Sequence, residues 1–182
     1  KRGMEIHAWL NPYRAATAPA NINSYSSTHK AVTNPEWLLT ESSGIRYFNP
    51  ALADVRNHIN DVVTELVTNY DLDGIHFDDY FYYAGVGTQD DAQFTADPRG
   101  FVNKNDWRRN NVTLLIQQLS ISIKTLKPWV KFGISPSGIY RNFTVTSVTP
   151  NVTTTGSEHY TTQYADTKKW MQDGTIDYLA PQ

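Results

Sequence analysis

Apolar positions along this chain repeat with two different periods. Four short runs rich in branched and aromatic residues, at about residues 4–10, 74–79, 130–135 and 176–181, are bounded by Gly, Pro or Asp and predict β-strands. Between them, apolar residues return every three or four positions. Val55, Ile59, Val62, Val63 and Leu66 make one such stripe, entered through Asn49-Pro50, a capping side chain followed by proline at the first helical position. Val112, Leu115, Leu119, Ile123 and Leu126 make a second, over about residues 105–126. A shorter third helix is expected over 165–172, stopped by Gly174. Strands alternating with helices predict a parallel sheet with crossover helices.

The connections extend this picture. Links from helix to strand are short, whereas those from strand to helix cover residues 11–48, 80–104 and 136–164, far beyond the roughly 2–6 residues usual in such units. All three leave the carboxyl ends of the strands, where α/β folds place their active sites. A doubly wound nucleotide binder would carry a glycine-rich turn after a strand. There is no GxGxxG and no P-loop, and no cofactor is expected. The fold class expected is α/β, a partial (β/α)8 TIM barrel supplying four of the eight strands. The chain opens almost directly on one strand-like run and stops at the end of another, so residues 1–182 are expected to be one barrel domain truncated at both ends.

Composition excludes more than it assigns. A net charge of -2 without blocks of like charge gives no reason to expect a nucleic-acid partner, and no apolar stretch is long enough to span a bilayer. Zero cysteines exclude disulfides and thiolate metal ligands. The 11 Tyr and 5 Trp matter because many stand in polar, loop-like stretches where a core does not need them.

The stretch DGIHFDDYFYY, residues 73–83, concentrates the candidate chemistry. Strand side chains alternate faces. With Asp78 pointing inward at the top of its strand, His76 points inward beneath it and Phe77 packs outward. The same parity on the other strands selects Glu5, His7, Trp9 and Asn11, then Gly133, Ser135 and Ser137, then Tyr178, Ala180 and Gln182. Polar groups converging at strand ends make the candidate site. Asp79 serves either chemistry or the turn that ends the strand. His76 is expected to orient Asp78, and His7 is either a satisfied core histidine or a site residue. Of Tyr80, Phe81, Tyr82 and Tyr83, some are expected to be exposed, where flat rings stack on sugars. Trp107 and Arg108, at the start of the second helix, are read as capping, packing or substrate contacts. A metal site using Asp78, Asp79 and the histidines lacks any zinc-motif spacing.

RGMEIHAWLNPYR, RYFNPALADVRNHINDVVTELVTNYDLDGIHFDDYFY, WRRNNV, KFGISPSGIYRN and IDYLAPQ together resemble the bacterial "glycosyl hydrolase-like 10" barrels. That group includes division-site hydrolases of peptide-free peptidoglycan glycan strands. The resemblance implies a glycosidase-like barrel of which these are the third to sixth strands. It implies an enzyme, a glycoside hydrolase acting on cell-wall glycan or a related polysaccharide in the cell envelope, periplasmic, secreted or lipid-anchored. In the wider clan of retaining sugar-cleaving barrels the nucleophile tops the fourth strand in a Gly-x-Arg-x-Asp pattern. Here GIHFD has that spacing, which maps the nucleophile onto Asp78, with His76 where the clan has Arg.

Glycoside hydrolysis also needs a second carboxyl, ~5–5.5 Å away for retention or ~6.5–9.5 Å for inversion. Ser135 and Gln182 stand where the clan places it, so Asp79, Asp90, Asp91, Glu158 or a residue outside the chain must serve. Catalytic candidates are thus Asp78 and Asp79. Substrate-binding candidates are His7, Asn11, Tyr13, Arg14, His76, Tyr80, Tyr82, Trp107, Arg108, Ser135, Ser137, Arg141 and Gln182, with Arg14 a partner for a carboxylate-bearing sugar. Two other readings remain beside the hydrolase: a carbohydrate-binding barrel without catalysis, and a metal-dependent polysaccharide hydrolase or deacetylase.

Overall fold

A computed structural model describes residues 3–17, 24–143 and 153–182. In chain order its elements are β1 (His7–Leu10), β2 (Arg14–Ala16), α1 (Lys30–Thr33), β3 (Leu38–Thr40), β4 (Arg46–Phe48), α2 (Ala53–Asn69), β5 (Gly74–Phe77), α3 (Asp91–Ala96), α4 (Lys104–Leu126), β6 (Lys131–Ile134), α5 (His159–Thr162), α6 (Thr167–Gln172) and β7 (Tyr178–Leu179). The four expected strands pair in parallel in the order β1-β5-β6-β7. Spatial order therefore follows sequence order. A doubly wound sheet would reverse its strand order part-way, whereas sequential winding keeps the helices on one face, as a barrel does.

The side chains agree with that winding. Ile75, Phe77, Phe132 and Ile134 share one core with Val55, Ile59 and Val63 of α2 and with Leu115, Leu119 and Ile123 of α4. Ala8, Leu10 and Leu179 pack against the same core. Each fully buried side chain of this kind contributes about 1.5–3 kcal/mol, so this shared layer holds sheet and helices together. The opposite face carries His7, Trp9, His76 and Tyr178, which remain partly or largely exposed. The molecule has the α/β architecture of part of a (β/α)8 barrel.

Some boundaries differ from the sequence reading. Asn49 does not cap α2. Its Oδ1 accepts from the Ala51 N–H at 3.0 Å and its carbonyl from Leu52 at 3.1 Å, a turn that delivers the chain to an N-cap at Leu52. Asn103 does cap α4, accepting from the Asn105 N–H at 2.8 Å. The first long connection is not plain loop, because β2, β4 and β3 form an antiparallel sheet of three strands. Each of these strands is three residues long, shorter than the runs from which alternation is read.

Candidate active site

Asp78 directly follows β5, the second strand of the sheet. Its N–H still reaches the Leu10 carbonyl of β1 at 3.3 Å, so the ladder fixes its position. The side chain shares the His76 face by alternation and is 7% exposed. Oδ1 accepts a long hydrogen bond from the Tyr80 N–H at 3.5 Å. Removal from water pushes the Asp78 carboxyl up to about 6. The Asp79 charge pushes the same way, while the Tyr80 N–H, Arg14 and the Trp9 indole oppose. Such a group is mostly ionised at neutral pH yet close to taking up a proton.

Asp79 is half-buried beside it, with Oδ2 accepting from Gln163 Nε2 at 3.1 Å. Ser137 Oγ donates to Gln163 Oε1 at 3.4 Å, so the amide of Gln163 orients Asp79 from the third long loop. Asp79, Tyr80, Glu41, Tyr47 and Gln163 help to line a cavity of about 130 Å³. The Arg14 guanidinium lies 3.9 Å from the centroid of the Tyr80 ring, and the Arg14 N–H donates to Asn11 Oδ1 at 3.1 Å. Asn11 Nδ2 is buried with no hydrogen-bond partner among the described residues. Ser135 and Gln182 bond each other, Gln182 Nε2 donating to Ser135 Oγ at 2.8 Å and to its carbonyl at 3.1 Å.

Beneath Asp78, large rings cross the inner face. Gly74 pairs with His7 and Gly133 with Tyr178. A Cβ at Gly74 would come within 2.6 Å of the His7 ring, and one at Gly133 within 1.9 Å of the Tyr178 ring. Only glycine lets these rings lie over the neighbouring strand. His7 Nδ1 and His76 Nδ1 both reach the Tyr178 hydroxyl, at 2.7 and 2.9 Å. Among the described residues no group of three or more His, Cys, Asp or Glu side chains is arranged to hold a metal ion.

The sequence profile of the glycosyl hydrolase-like 10 family matches residues 1–182. The chain belongs to this family. Curated relatives are the glycosyl hydrolase YngK of Bacillus subtilis (strain 168), 41% identical over 186 residues, and the glycosyl hydrolase DigH of Escherichia coli (strain K12), 39% identical over 193 residues. Each match takes in 100% of this chain but only 36% and 43% of those proteins, respectively. Among solved structures, α-L-fucosidase isoenzyme 2 from Paenibacillus thiaminolyticus matches with a TM-score of 0.44 and 21% identity, over 62% of this chain and 19% of that one. The GH36 α-galactosidase AgaA from Geobacillus stearothermophilus matches with a TM-score of 0.45 and 13% identity, over 75% and 17%. Likenesses that slight support no inference.

This glycosyl hydrolase-like 10 chain does not bring all the expected residues to Asp78. Phe81, Tyr82 and Tyr83 are core, and only Tyr80 stays exposed. The turn after β5 drives the next three rings inward, where Phe81 meets Trp170 and Tyr82 meets Tyr164. Tyr82 accepts from Asn111 Nδ2 at 2.9 Å, which ties its ring into the scaffold, and with Tyr83 it edges the cavity beside Asp79. Tyr13 is fully buried, edge-on to Phe81. Trp107 is buried and donates Nε1–H to the Asp97 carbonyl at 2.9 Å. Arg108 is likewise buried, forked onto Asp90.

That pairing takes Asp90 out of the list of second carboxyls. Burial pushes Asp90 up, but the hydrogen bonds and charges of Arg108 and Lys104 outweigh it and hold the group below the usual range. Asp91 is bound to Lys104 on the surface. Glu158, accepting from the Asn142 N–H and the Thr161 hydroxyl, is also held low despite its burial. The Arg141 guanidinium lies 4.5 Å from the Tyr160 ring centroid and does not line the cavity beside Asp79. Two groups that do line it, Glu41 and Gln163, were not singled out from sequence. Glu41 follows a strand too short to register, and Gln163 has no motif around it.

Proposed function

We propose that this chain carries catalytic residues of a glycoside hydrolase that cleaves bacterial cell-wall glycan, peptide-free peptidoglycan strands or a related polysaccharide, in the cell envelope. One observation carries the reading: a carboxyl buried at the carboxyl end of a parallel strand, raised to about 6, beside a second carboxylate that lines an aromatic cavity. Ionised Asp78 is the nucleophile that meets the anomeric carbon. A second carboxyl, Asp79 turned by Gln163 or one contributed by the rest of the protein, must arrive protonated to give its proton to the departing glycosidic oxygen and then take one from the water that releases the glycosyl intermediate. Tyr80 with Arg14 stacked on it supplies a flat face for a sugar ring and a cation for an acidic substituent.

The test is digestion of peptide-free glycan strands by the full-length protein and its Asp78→Asn and Asp79→Asn variants, followed by mass spectrometry. Asp78→Asn should lose cleavage by on the order of 10³-fold or more while remaining folded. A second reading, a binding barrel without catalysis, draws on the Ser135–Gln182 pair, since neither side chain is a carboxyl. Strands bound but left intact by the wild-type protein would favour it over the hydrolase.

A further inference from the structure

The inner face carries a line of hydrogen bonds that the reaction above does not use. Lys131 Nζ lies 2.7 and 2.9 Å from the two oxygens of Glu5, and Glu5 Oε2 lies 3.1 Å from His7 Nε2. The line continues from His7 Nδ1 to the Tyr178 hydroxyl at 2.7 Å and from there to His76 Nδ1 at 2.9 Å. No hydrogen bond to His76 Nε2 is present among the described residues.

The donors and acceptors fix the direction. Glu5, held low by the Lys131 hydrogen bond and then by His7, is an ionised acceptor. His7 Nε2 therefore donates to it, and in the neutral ring Nδ1 must accept. Its partner is the single proton of the Tyr178 hydroxyl. The Tyr178 oxygen then accepts from His76, whose Nδ1 carries the proton and whose Nε2 keeps a free lone pair. Reversing one bond reverses them all.

We propose that Glu5, His7, Tyr178 and His76 form a proton relay beneath Asp78, in which a proton taken up at His76 Nε2 comes to rest as charge on His7 beside Glu5. The balance is simple. His76 gains a proton at Nε2 and passes its Nδ1 proton to the Tyr178 oxygen, and the hydroxyl proton moves to His7 Nδ1. His76 ends neutral in the opposite tautomer, Tyr178 ends unchanged, and His7 ends as imidazolium against the Glu5 carboxylate. Burial, and next the neighbouring His7, make His76 a poor place for the charge to remain. At the far end Glu5, His7, Lys131, Asp177 and Tyr178 line one cavity, so the charge that arrives on His7 meets carboxylates there. The charged and titratable groups around the relay are Glu5 and His7 from the first strand segment, Lys131 from β6, Asp177 and Tyr178 at β7, and Asp78 on the strand of His76. His7 and Tyr178 are positioning residues acting through His76. Their service to catalysis rests on the hydrolase reading, but the test does not.

The test is ¹⁵N NMR of the imidazoles in the full-length protein, titrated from pH 8 to pH 5 without substrate and assigned through His7→Gln and His76→Gln. At pH 8, His76 should be protonated at Nδ1 alone and His7 at Nε2 alone. As His7 gains its second proton, His76 should exchange Nδ1–H for Nε2–H and stay neutral. Tyr178→Phe should abolish that exchange. An Nε2–H tautomer of His76 at pH 8, or double protonation of His76 before His7, overturns the relay. The wild-type titration decides even where Tyr178→Phe fails to fold, and a protein inactive on every glycan can still pass it.

Discussion

Replacing Arg108 with Met separates a scaffold role from a substrate role for that arginine. Arg108 Nε and Nη2 hold the two oxygens of Asp90 at 2.8 and 2.5 Å. Nη1 also donates to the Tyr164 hydroxyl at 3.0 Å, and Nη2 to the Gly87 carbonyl at 2.6 Å. Asp90 is 0% exposed and Arg108 4%. Met roughly keeps the length of the side chain and removes every donor, leaving a buried carboxylate with Lys104 Nζ at 2.8 Å as its remaining cation. Breaking a buried pair on one side costs about 3–5 kcal/mol. Because Lys104 stays, the lower end applies, about 3 kcal/mol.

In equilibrium urea unfolding, with m of about 2–3 kcal/mol/M, the midpoint should fall by roughly 1–1.5 M. The double variant Arg108→Met, Asp90→Leu removes both charges and should recover most of the loss. Activity per folded molecule should be unchanged throughout. An Arg108→Met protein of wild-type stability that no longer cleaves glycan would refute the argument and return Arg108 to the substrate.

Asp78 should lower the stability of its own fold. Its native carboxyl holds a proton up to about 6 against an ordinary 3.8, so native stability declines as pH rises between those values, by up to ~3 kcal/mol at ~1.4 kcal/mol per unit. Asp78→Asn should therefore be more stable than wild type at pH 8 and equal to it at pH 4 by urea unfolding, and an equal effect at both would contradict the burial. Gly133→Ala would put a Cβ 1.9 Å from the Tyr178 ring. Overpacking at about 1–3 kcal/mol and two lost hydrogen bonds at about 0.5–1.5 kcal/mol each should lower the melting temperature and detach His7 from His76, whereas unchanged melting would mean that the ring does not lie over Gly133.

The sheet was legible because each of its strands obeys one local rule. Alternation put Phe77 and Ile75 against the helices and His76 and Asp78 on the other face, and the structure keeps that parity on β1, β6 and β7. The α2 and α4 helices were legible for the same reason, a stripe at every third or fourth residue. What escaped the sequence depends on pairing across distance. A strand as short as β3 has no period of its own and exists because β4 and the Tyr83 hydroxyl, 2.9 Å from the Thr40 carbonyl, hold it. The same lack hid Glu41 just beyond it.

Burial narrowed the other readings. Capping, packing and substrate contact all fit Arg108 in the sequence; burial selects packing, and nothing near Arg108 in the sequence announces Asp90, 18 positions earlier, as its partner. In the aromatic run after Asp79 the sequence predicts that some rings are exposed; Tyr80 is, and the other three close the core beneath the loop. That burial bears on the site itself. With Phe81, Tyr82 and Tyr83 anchored, the turn carrying Asp78, Asp79 and Tyr80 is held from below by packing and from the side by Gln163 and the Leu10 carbonyl. On a free loop Asp78 would turn into water and lose the burial that raises its carboxyl. Fixed over a packed floor it stays buried, and Asp78 is kept near the pH at which it can hold a proton or release it. The aromatic residues thus serve the chemistry by making the turn rigid, with Tyr80 exposed to meet a ligand and Tyr82 and Tyr83 edging the cavity beside Asp79.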